Sequence, residues 1–261
     1  MNLLDYIPDE PDLVAHHDPK VIIFTGAGLS AESGLSTFRS DHATGQVGLW
    51  NNHPISEVCN EATWQANYAK VHAFYNDLRS QLERAEPNPA HHAIARLQQQ
   101  LGQDAVVITQ NVDNLLERAG VSDVLHLHGL LTQMHCTQCE KVWDIGYQPF
   151  NPQQACCYCG HKDTIKPNIV FFGGRAPNYL HLPSALSGIY HPDSIVIVSG
   201  TQGNVVPIDE HLAQACGTKV LNNLAPSDNI NEKSYDQVYF EPASQAWLKI
   251  EAYVQQNWLG V

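Results

Sequence analysis

Three five-residue runs, Val21–Thr25 (VIIFT), Ala105–Thr109 (AVVIT) and Ile195–Ser199 (IVIVS), are apolar up to their last residue. A strand with one face in water alternates apolar and polar side chains, whereas a strand buried on both faces does not. The runs therefore predict central strands of a parallel sheet with helices on both faces, an α/β fold. Residues 124–127, 219–221 and 238–240 are weaker strand candidates. Between the strands, Ala93, Ile94 and Leu97 share one helical stripe within Pro89–Leu101, and Gly102 follows as a stop. Trp247, Leu248, Ile250, Tyr253, Val254 and Trp258 also fall at helical spacing and predict a closing helix. Two stretches interrupt the alternation. Residues 46–88 look helical and carry Trp50, Trp64, Phe74 and Tyr75, while residues 133–167 lack periodicity and hold most of the cysteines. Both read as insertions that together build a smaller lobe, with a ligand cleft between the lobes.

A length of 261 residues suits one large domain with such inserts, and 43% hydrophobic against 16% charged residues supplies a core. The net charge of −13 argues against a direct nucleic-acid partner. Apolar runs are too short to span a bilayer, and the opening MNLLDYIPDEPDL lacks the basic and apolar stretches of a signal peptide. The expectation is a cytoplasmic monomer that binds no membrane.

Five of the seven cysteines lie between Cys136 and Cys159. Cys136-Thr-Gln-Cys139 and Cys156-Cys-Tyr-Cys159 are two C-x-x-C knuckles with 16 residues between them. Each knuckle presents two thiolates on one side of a turn, and four thiolates complete a closed, structural zinc site. The alternatives are a redox dithiol or unrelated thiols. Cys157 offers a poorer chelate than Cys156, and Cys59 and Cys216 read as small buried hydrophobes.

The run VIIFT ends in Gly26-Ala-Gly28-Leu-Ser-Ala-Glu-Ser-Gly34. Such a turn between strand and helix brings backbone N–H groups to a diphosphate, although a plain structural turn would read the same. It is not the standard dinucleotide fingerprint: Ala31 stands at the third glycine, and no ribose-binding acid follows at the usual distance. Thr109-Gln110-Asn111-Val112-Asp113 places polar side chains at a strand's carboxyl end, suited to a carboxamide and ribose hydroxyls or to capping a helix. In His126-Leu-His128-Gly129, His128 is the candidate base and His126 its neighbour. The pairs His16-His17 and His91-His92 lack a third ligand and read as solvated surface.

Taken together, these residues resemble the sirtuins, the NAD-dependent protein lysine deacylases. The resemblance rests on GAGLSAESGLSTFR (26–39), TQNVDNLLERAG (109–120), HLHG (126–129), the two cysteine pairs, PNIVFFG (167–173), GTQGNVVP (200–207) and NNLAPS (222–227). These segments are most similar to bacterial sirtuins of the branch that includes dicarboxylate deacylases. The resemblance implies a Rossmann-like NAD-binding domain over 1–45, 89–132 and 168–261. It also implies a small domain built from a helical insert (46–88) and a zinc-binding insert (133–167). It implies that His128 and Asn111 are catalytic, with nicotinamide released and the acyl group leaving lysine as 2′-O-acyl-ADP-ribose. NAD-binding residues would be Gly26, Ala27, Gly28, Ser30, Glu32, Thr37, Phe38, Arg39, Gln110, Asn111, Val112 and Asp113 in the first half of the chain. Gly200, Thr201, Gln202, Asn223, Leu224, Ala225 and Ala243 would complete that set. Val170, Phe171, Phe172 and Gly173 would pair with an acylated-lysine peptide as an added strand, and Cys136, Cys139, Cys156 and Cys159 would hold one structural zinc. The alternatives are an NAD-cleaving ADP-ribosyltransferase or hydrolase, and a weakly catalytic NAD-binding regulatory module.

Several positions depart from the family pattern: Ser36 replaces proline, Gly174 an acid, Gln202 a serine and Glu241 a glycine. The last puts a carboxylate near an anionic cofactor. Dicarboxylate-preferring relatives carry Y-x-x-R in the small-domain helix; here Tyr75-Asn-Asp-Leu78 puts leucine at the arginine position. Arg79 follows about 100° further around the helix. Tyr75 and Leu78 are thus the expected acyl-site residues, and the expected acyl group is uncharged, acetyl first.

Overall fold

The computed structural model describes residues 18, 20–35 and 49–259. Strand β1 (Val21–Thr25) runs into two single 3₁₀ turns, Ala27–Leu29 and Ala31–Ser33, where the sequence predicts a helix. A short hairpin, β2 (Leu49–Trp50) and β3 (His53–Pro54), leads through α1 (Ile55–Val58) to the long α2 (Tyr68–Arg84). Helix α3 (Pro89–Leu101) precedes β4 (Ala105–Thr109), α4 (Leu115–Ala119) and β5 (Leu125–His126). Next come β6 (Gly129–Cys136), β7 (Val142–Asp144) and β8 (Ile165–Ile169), and then α5 (Leu182–Ala185) and β9 (Ile195–Ser199). The chain closes with α6 (Ile208–His211), β10 (Thr218–Asn223), β11 (Gln237–Phe240) and α7 (Ala243–Val254). No helix among the described residues is long and apolar enough to cross a membrane.

Six parallel strands form the main sheet in the order β5-β4-β1-β9-β10-β11. The strand order reverses between β1 and β9, which places a crevice outside their carboxyl ends. Both faces of β1 are buried, as its unbroken apolar run requires. Val21 and Ile23 pack with Ile94 and Leu97 of α3 and with Trp247 and Ile250 of α7. Ile22 and Phe24 pack on the other face with Leu182, Ile189 and Ile208. Each such side chain contributes about 1.5–3 kcal/mol on burial. Trp247 also ties α7 to the sheet: its indole N–H donates to Ser199 Oγ at 3.0 Å, and Ser199 Oγ donates to Asn222 Oδ1 at 2.9 Å. On α7, Leu248 shares the predicted helical spacing yet lies 60% exposed.

The stretch 133–167 contains the structure that periodicity missed. Strands β7, β6 and β8 make an antiparallel sheet in that order, and β6 and β8 run across the boundaries expected at 132/133 and 167/168. Pro167 sits in β8 without breaking it, because β8 is an edge strand. Met134, Phe150 and Ile165 form a small core with Cys136 and Cys156. Four sulfur atoms, those of Cys136, Cys139, Cys156 and Cys159, lie within 4.8 Å of one another. Cys136 Sγ to Cys159 Sγ is 3.7 Å, and Cys139 Sγ to Cys156 Sγ is 3.8 Å. Zinc with four bonds of about 2.3 Å sets tetrahedral sulfurs about 3.8 Å apart, so the donor set fits zinc and leaves no ligand position for chemistry. Cys157 is exposed and outside the cluster.

Polar side chains on α2 dock this module. His72 Nε2 lies 3.0 Å from the Ile165 carbonyl. Asn76 accepts from Phe150 N at 2.8 Å and donates to Phe150 O at 2.9 Å. Arg79, fully buried, donates to the Leu131 carbonyl at 3.2 Å and to Asn76 Oδ1 at 2.6 Å. Its Nε has no acceptor and its charge no carboxylate among the described residues. Burial accordingly lowers its pKa to about 10.

Two outcomes follow from this lobe. Metal analysis should find one zinc per chain, with chelation lowering the melting temperature and zinc restoring it. Arg79→Ala should cost about 2–4 kcal/mol in urea unfolding, through a cavity and an orphaned Leu131 carbonyl. Arg79→Met, which fills the space and removes a buried unpaired charge but still leaves the Leu131 carbonyl without this donor, should recover about half or more of that loss.

Candidate active site

The switch-point crevice is built from backbone contact between two loops. Gly28 N donates to Gly200 O at 2.8 Å, and a Cβ on Gly28 would lie 2.7 Å from Gly200 Cα. Gly200 itself is left-handed (φ 71°), and its own Cβ would meet Leu29 N at 2.3 Å. Only glycines at these positions let the β1 and β9 loops touch.

A cleft of about 690 Å³ opens from this contact. It is lined by Gly26, Ala27, Gly28 and Ser30 from the first loop and by Gln110, Asn111, Val112 and Asp113 from the end of β4. Gly200, Thr201, Gln202, Asn223, Leu224, Ala225 and Ala243 line its other side. His128, Leu78, Val170, Phe171, Phe172 and Gly173 line it as well. The predicted site residues so placed therefore converge from eight separated segments. Thr37, Phe38 and Arg39 lie outside the described residues, as do Ser36 and the pair His16-His17.

Two predicted residues are placed elsewhere. The Glu32 carboxylate accepts from Ser244 N at 2.8 Å and from Ser244 Oγ at 2.7 Å, holding the first turn of α7 instead of facing the cleft. Tyr75 is fully buried behind the lining, its ring stacked on Phe171 at 5.8 Å and edge-on to Trp50. Leu78, one turn along α2, takes the place at the cleft wall.

The floor is a network of neutral polar groups. His91, predicted as surface, is fully buried. Asn88 caps α3, and His91 Nδ1 accepts from Asn88 N at 3.2 Å, which completes a capping box. The hydrogen of His91 is therefore on Nε2, 3.3 Å from Ser30 Oγ. Burial and the neighbouring His92 lower the His91 pKa to about 4, so the ring stays neutral. Ser30 Oγ also accepts from Asn111 Nδ2 at 3.1 Å. Asn111 N donates to Thr109 Oγ1 at 3.0 Å, and Gln110 Nε2 donates to Thr201 Oγ1 at 3.0 Å. Asn223 Nδ2 donates to Thr201 O at 2.8 Å. Asp113 does what the capping alternative required, accepting from Leu115 N at 3.1 Å at the start of α4; burial raises its pKa. The sequence signal for His91 was Asn88-Pro89 three residues before it, a cap followed by a side chain able to reach back.

The two histidines of HLHG make different contacts. His126 spends both ring nitrogens, on Asn111 O at 3.0 Å and Glu117 Oε1 at 2.5 Å. Burial opposes its charging, but the Glu117 carboxylate overcomes this and raises its pKa. His128 Nδ1 faces Gln110 O at 2.8 Å, and Nε2 faces Tyr179 Oη at 2.9 Å. Burial lowers the His128 pKa, with the Gln110 carbonyl opposing in part. Gly129 follows with φ 83°, where a Cβ would lie 2.0 Å from Asn168 O. Tyr179 carries no sequence pattern that would have marked it.

Among the described residues, the lining contains no lysine or arginine. The Glu241 carboxylate is paired, both oxygens lying 2.7 Å from Lys249 Nζ. At Gly174 an added Cβ would lie 2.9 Å from Phe171 O and 3.0 Å from Glu61 Oε2, so an acid at this position would crowd the Glu61 carboxylate. Phe172 gives both backbone groups to the 59–61 segment, N to Cys59 O and O to Glu61 N, each at 3.0 Å.

The Sir2 family profile matches residues 26–207. An NAD-dependent protein deacylase of Helicobacter hepaticus is 42% identical over 258 residues, covering 91% of this chain and 98% of the relative. An Escherichia coli K12 protein of the same name is 38% identical over 239 residues, covering 88% of this chain and 80% of its own. Among solved structures, a Sir2 homologue bound to NAD aligns with TM-score 0.72 and 31% identity, over 90% of this chain and 89% of the other. A mutant Sir2 homologue bound to ADP-ribose aligns at TM-score 0.77 and 30% identity, over 90% and 92%. With the profile spanning most of the chain and these relatives matched nearly end to end, the chain belongs to the Sir2 family.

Proposed function

We propose that this chain is an NAD-dependent protein-lysine deacylase that favours an uncharged acyl group. The observation that carries the reading is the state of His128. Its Nδ1 is committed to a carbonyl acceptor, so the lone pair lies on Nε2, beside Asn111, Gln110 and Asp113 in one crevice. The cleft suits a dinucleotide: glycine backbone at the switch point for a diphosphate, amide and carboxylate side chains at the end of β4, and Asn223 and Ala243 toward the far strands. Bound NAD supplies the glycosidic bond whose cleavage drives acyl transfer. His128 takes the proton of a hydroxyl presented to Nε2, and Asn111 is held at its amide by Ser30 so that it presents a fixed dipole. The Val170–Gly173 segment borders the cleft along one edge, where a peptide would add as a strand. We assign 46–88 and 133–167 to the small domain and the remainder to NAD binding, with β6 and β8 crossing from one to the other. The seven free cysteines suit a reducing compartment such as the cytoplasm.

For the acyl group, Leu78 stands at the wall while Arg79 is spent on the Leu131 carbonyl. No cation remains there for a terminal carboxylate among the described residues.

On peptides with NAD, mass spectrometry should show acyl-ADP-ribose from wild type and none from His128→Ala; nicotinamide release without acyl transfer would count for the hydrolase alternative. The acid limb of kcat/KM should lie below the 6.5 of an ordinary imidazole, since burial favours the neutral ring and the base stays unprotonated to lower pH. Acetyl-lysine should exceed succinyl-lysine by about 10- to 100-fold, the worth of one missing charge-assisted pair. Leu78→Arg should narrow that ratio.

A further inference from the structure

His128 is held from two sides, by a group of fixed polarity at Nδ1 and by a hydroxyl at Nε2. The Gln110 carbonyl only accepts, so Nδ1 carries the ring hydrogen and Nε2 the lone pair. The Tyr179 hydroxyl, 2.9 Å from Nε2, must therefore be the donor. The two rings lie 5.9 Å apart at 24°, close to parallel. Tyr179 belongs to the 3₁₀ turn Pro177–His181, and the adjacent Asn178 donates from Nδ2 to His126 O at 2.7 Å. That bond ties the turn to the end of β5, two residues before the base. Burial raises the Tyr179 pKa, so the phenol keeps its proton.

We infer that Tyr179 is the positioning residue of the base. Its hydroxyl donates to Nε2 while His128 is neutral and accepts from Nε2–H once His128 has taken a proton. The inference rests on the deacylase reading of the same site. Nε2 has one lone pair, so an arriving ligand hydroxyl displaces the phenolic hydrogen and the phenol turns about its C–O bond. The ligand O–H bond then breaks, Nε2–H forms, and the electron pair stays on the ligand oxygen. The phenol oxygen, now an acceptor, holds the imidazolium hydrogen in a half-buried place where water is a poor substitute.

Tyr179→Phe keeps the ring and removes only the oxygen. The expected result is a kcat about tenfold lower, the low end of the worth of a hydrogen bond to a charged group, with KM for NAD within about twofold of wild type. A readout without ligand or turnover is the ¹⁵N resonance of His128 Nε2, assigned by its loss in His128→Ala. It should move on Tyr179→Phe from that of a hydrogen-bonded lone pair to that of a free one, with Nδ1–H retained. An unmoved resonance, an unchanged kcat, or a rise in KM alone would overturn the inference. Wild type without turnover would sink the deacylase reading instead and leave the resonance test standing.

Discussion

The contact between Gly28 and Gly200 is the constraint on which the rest of the site depends. Their backbones meet at 2.8 Å, N to O, with no room for a Cβ on either side. A side chain at either position would push the β1 and β9 loops apart. Those loops carry Ser30 and Thr201, and through them Asn111, Gln110 and Asn223. Widening the contact would therefore detach polar groups at the ends of β4 and β10 at once. The sheet beneath resists that movement, because β1 is paired along its whole length with β4 on one side and β9 on the other.

Beneath the contact, the site relies on neutral hydrogen bonds. His91, Ser30, Asn111 and Thr109 hold each other without a formal charge, and burial keeps His91 neutral. A charged floor would have needed a partner to offset its desolvation. The ionisable groups are set apart. Glu117 is bound to His126, Glu241 to Lys249, and Glu32 to the start of α7. The glutamate that looked hostile to an anionic ligand is thus met by a lysine eight residues on, a pairing that helical spacing beyond β11 conceals. What lines the crevice is mainly dipoles, with His128, Asp113 and the Lys249-paired Glu241 as its imidazole and carboxyl side chains.

How much of this was legible in the sequence varied with the kind of signal. The three unbroken apolar runs became the three central strands with their ends unchanged, because burial on both faces leaves no alternation to misread. Helix α3 was equally clear, since its apolar stripe within Pro89–Leu101 is stopped by Gly102. The small antiparallel sheet was not. Its strands mix His135, Gln133 and Thr132 with apolar residues, and Pro167 lies within β8. Its core is completed by sulfur ligands rather than by long aliphatic side chains, so neither period 2 nor period 3.6 stands out. Of the site, the lining residues on strand ends were legible because topology alone puts them together. His91, Glu32 and Tyr75 were misread because their orientation depends on partners distant in sequence.

The register of α2 shows how such a dependence decides chemistry. Residues 75, 78 and 79 sit within little more than one turn, yet they face three surroundings: the aromatic core, the cleft wall and the docked zinc module. Arg79 is fixed where it is by Asn76, which grips both backbone groups of Phe150 and also receives the guanidinium. Rotating the helix by the 100° needed to aim Arg79 at the cleft would break all of these bonds and expose Tyr75. The cost would fall on the packing of the whole lobe. A cation one residue away in sequence is therefore far from the cleft in energy, and the leucine, not the arginine, sets the polarity of that part of the cleft wall.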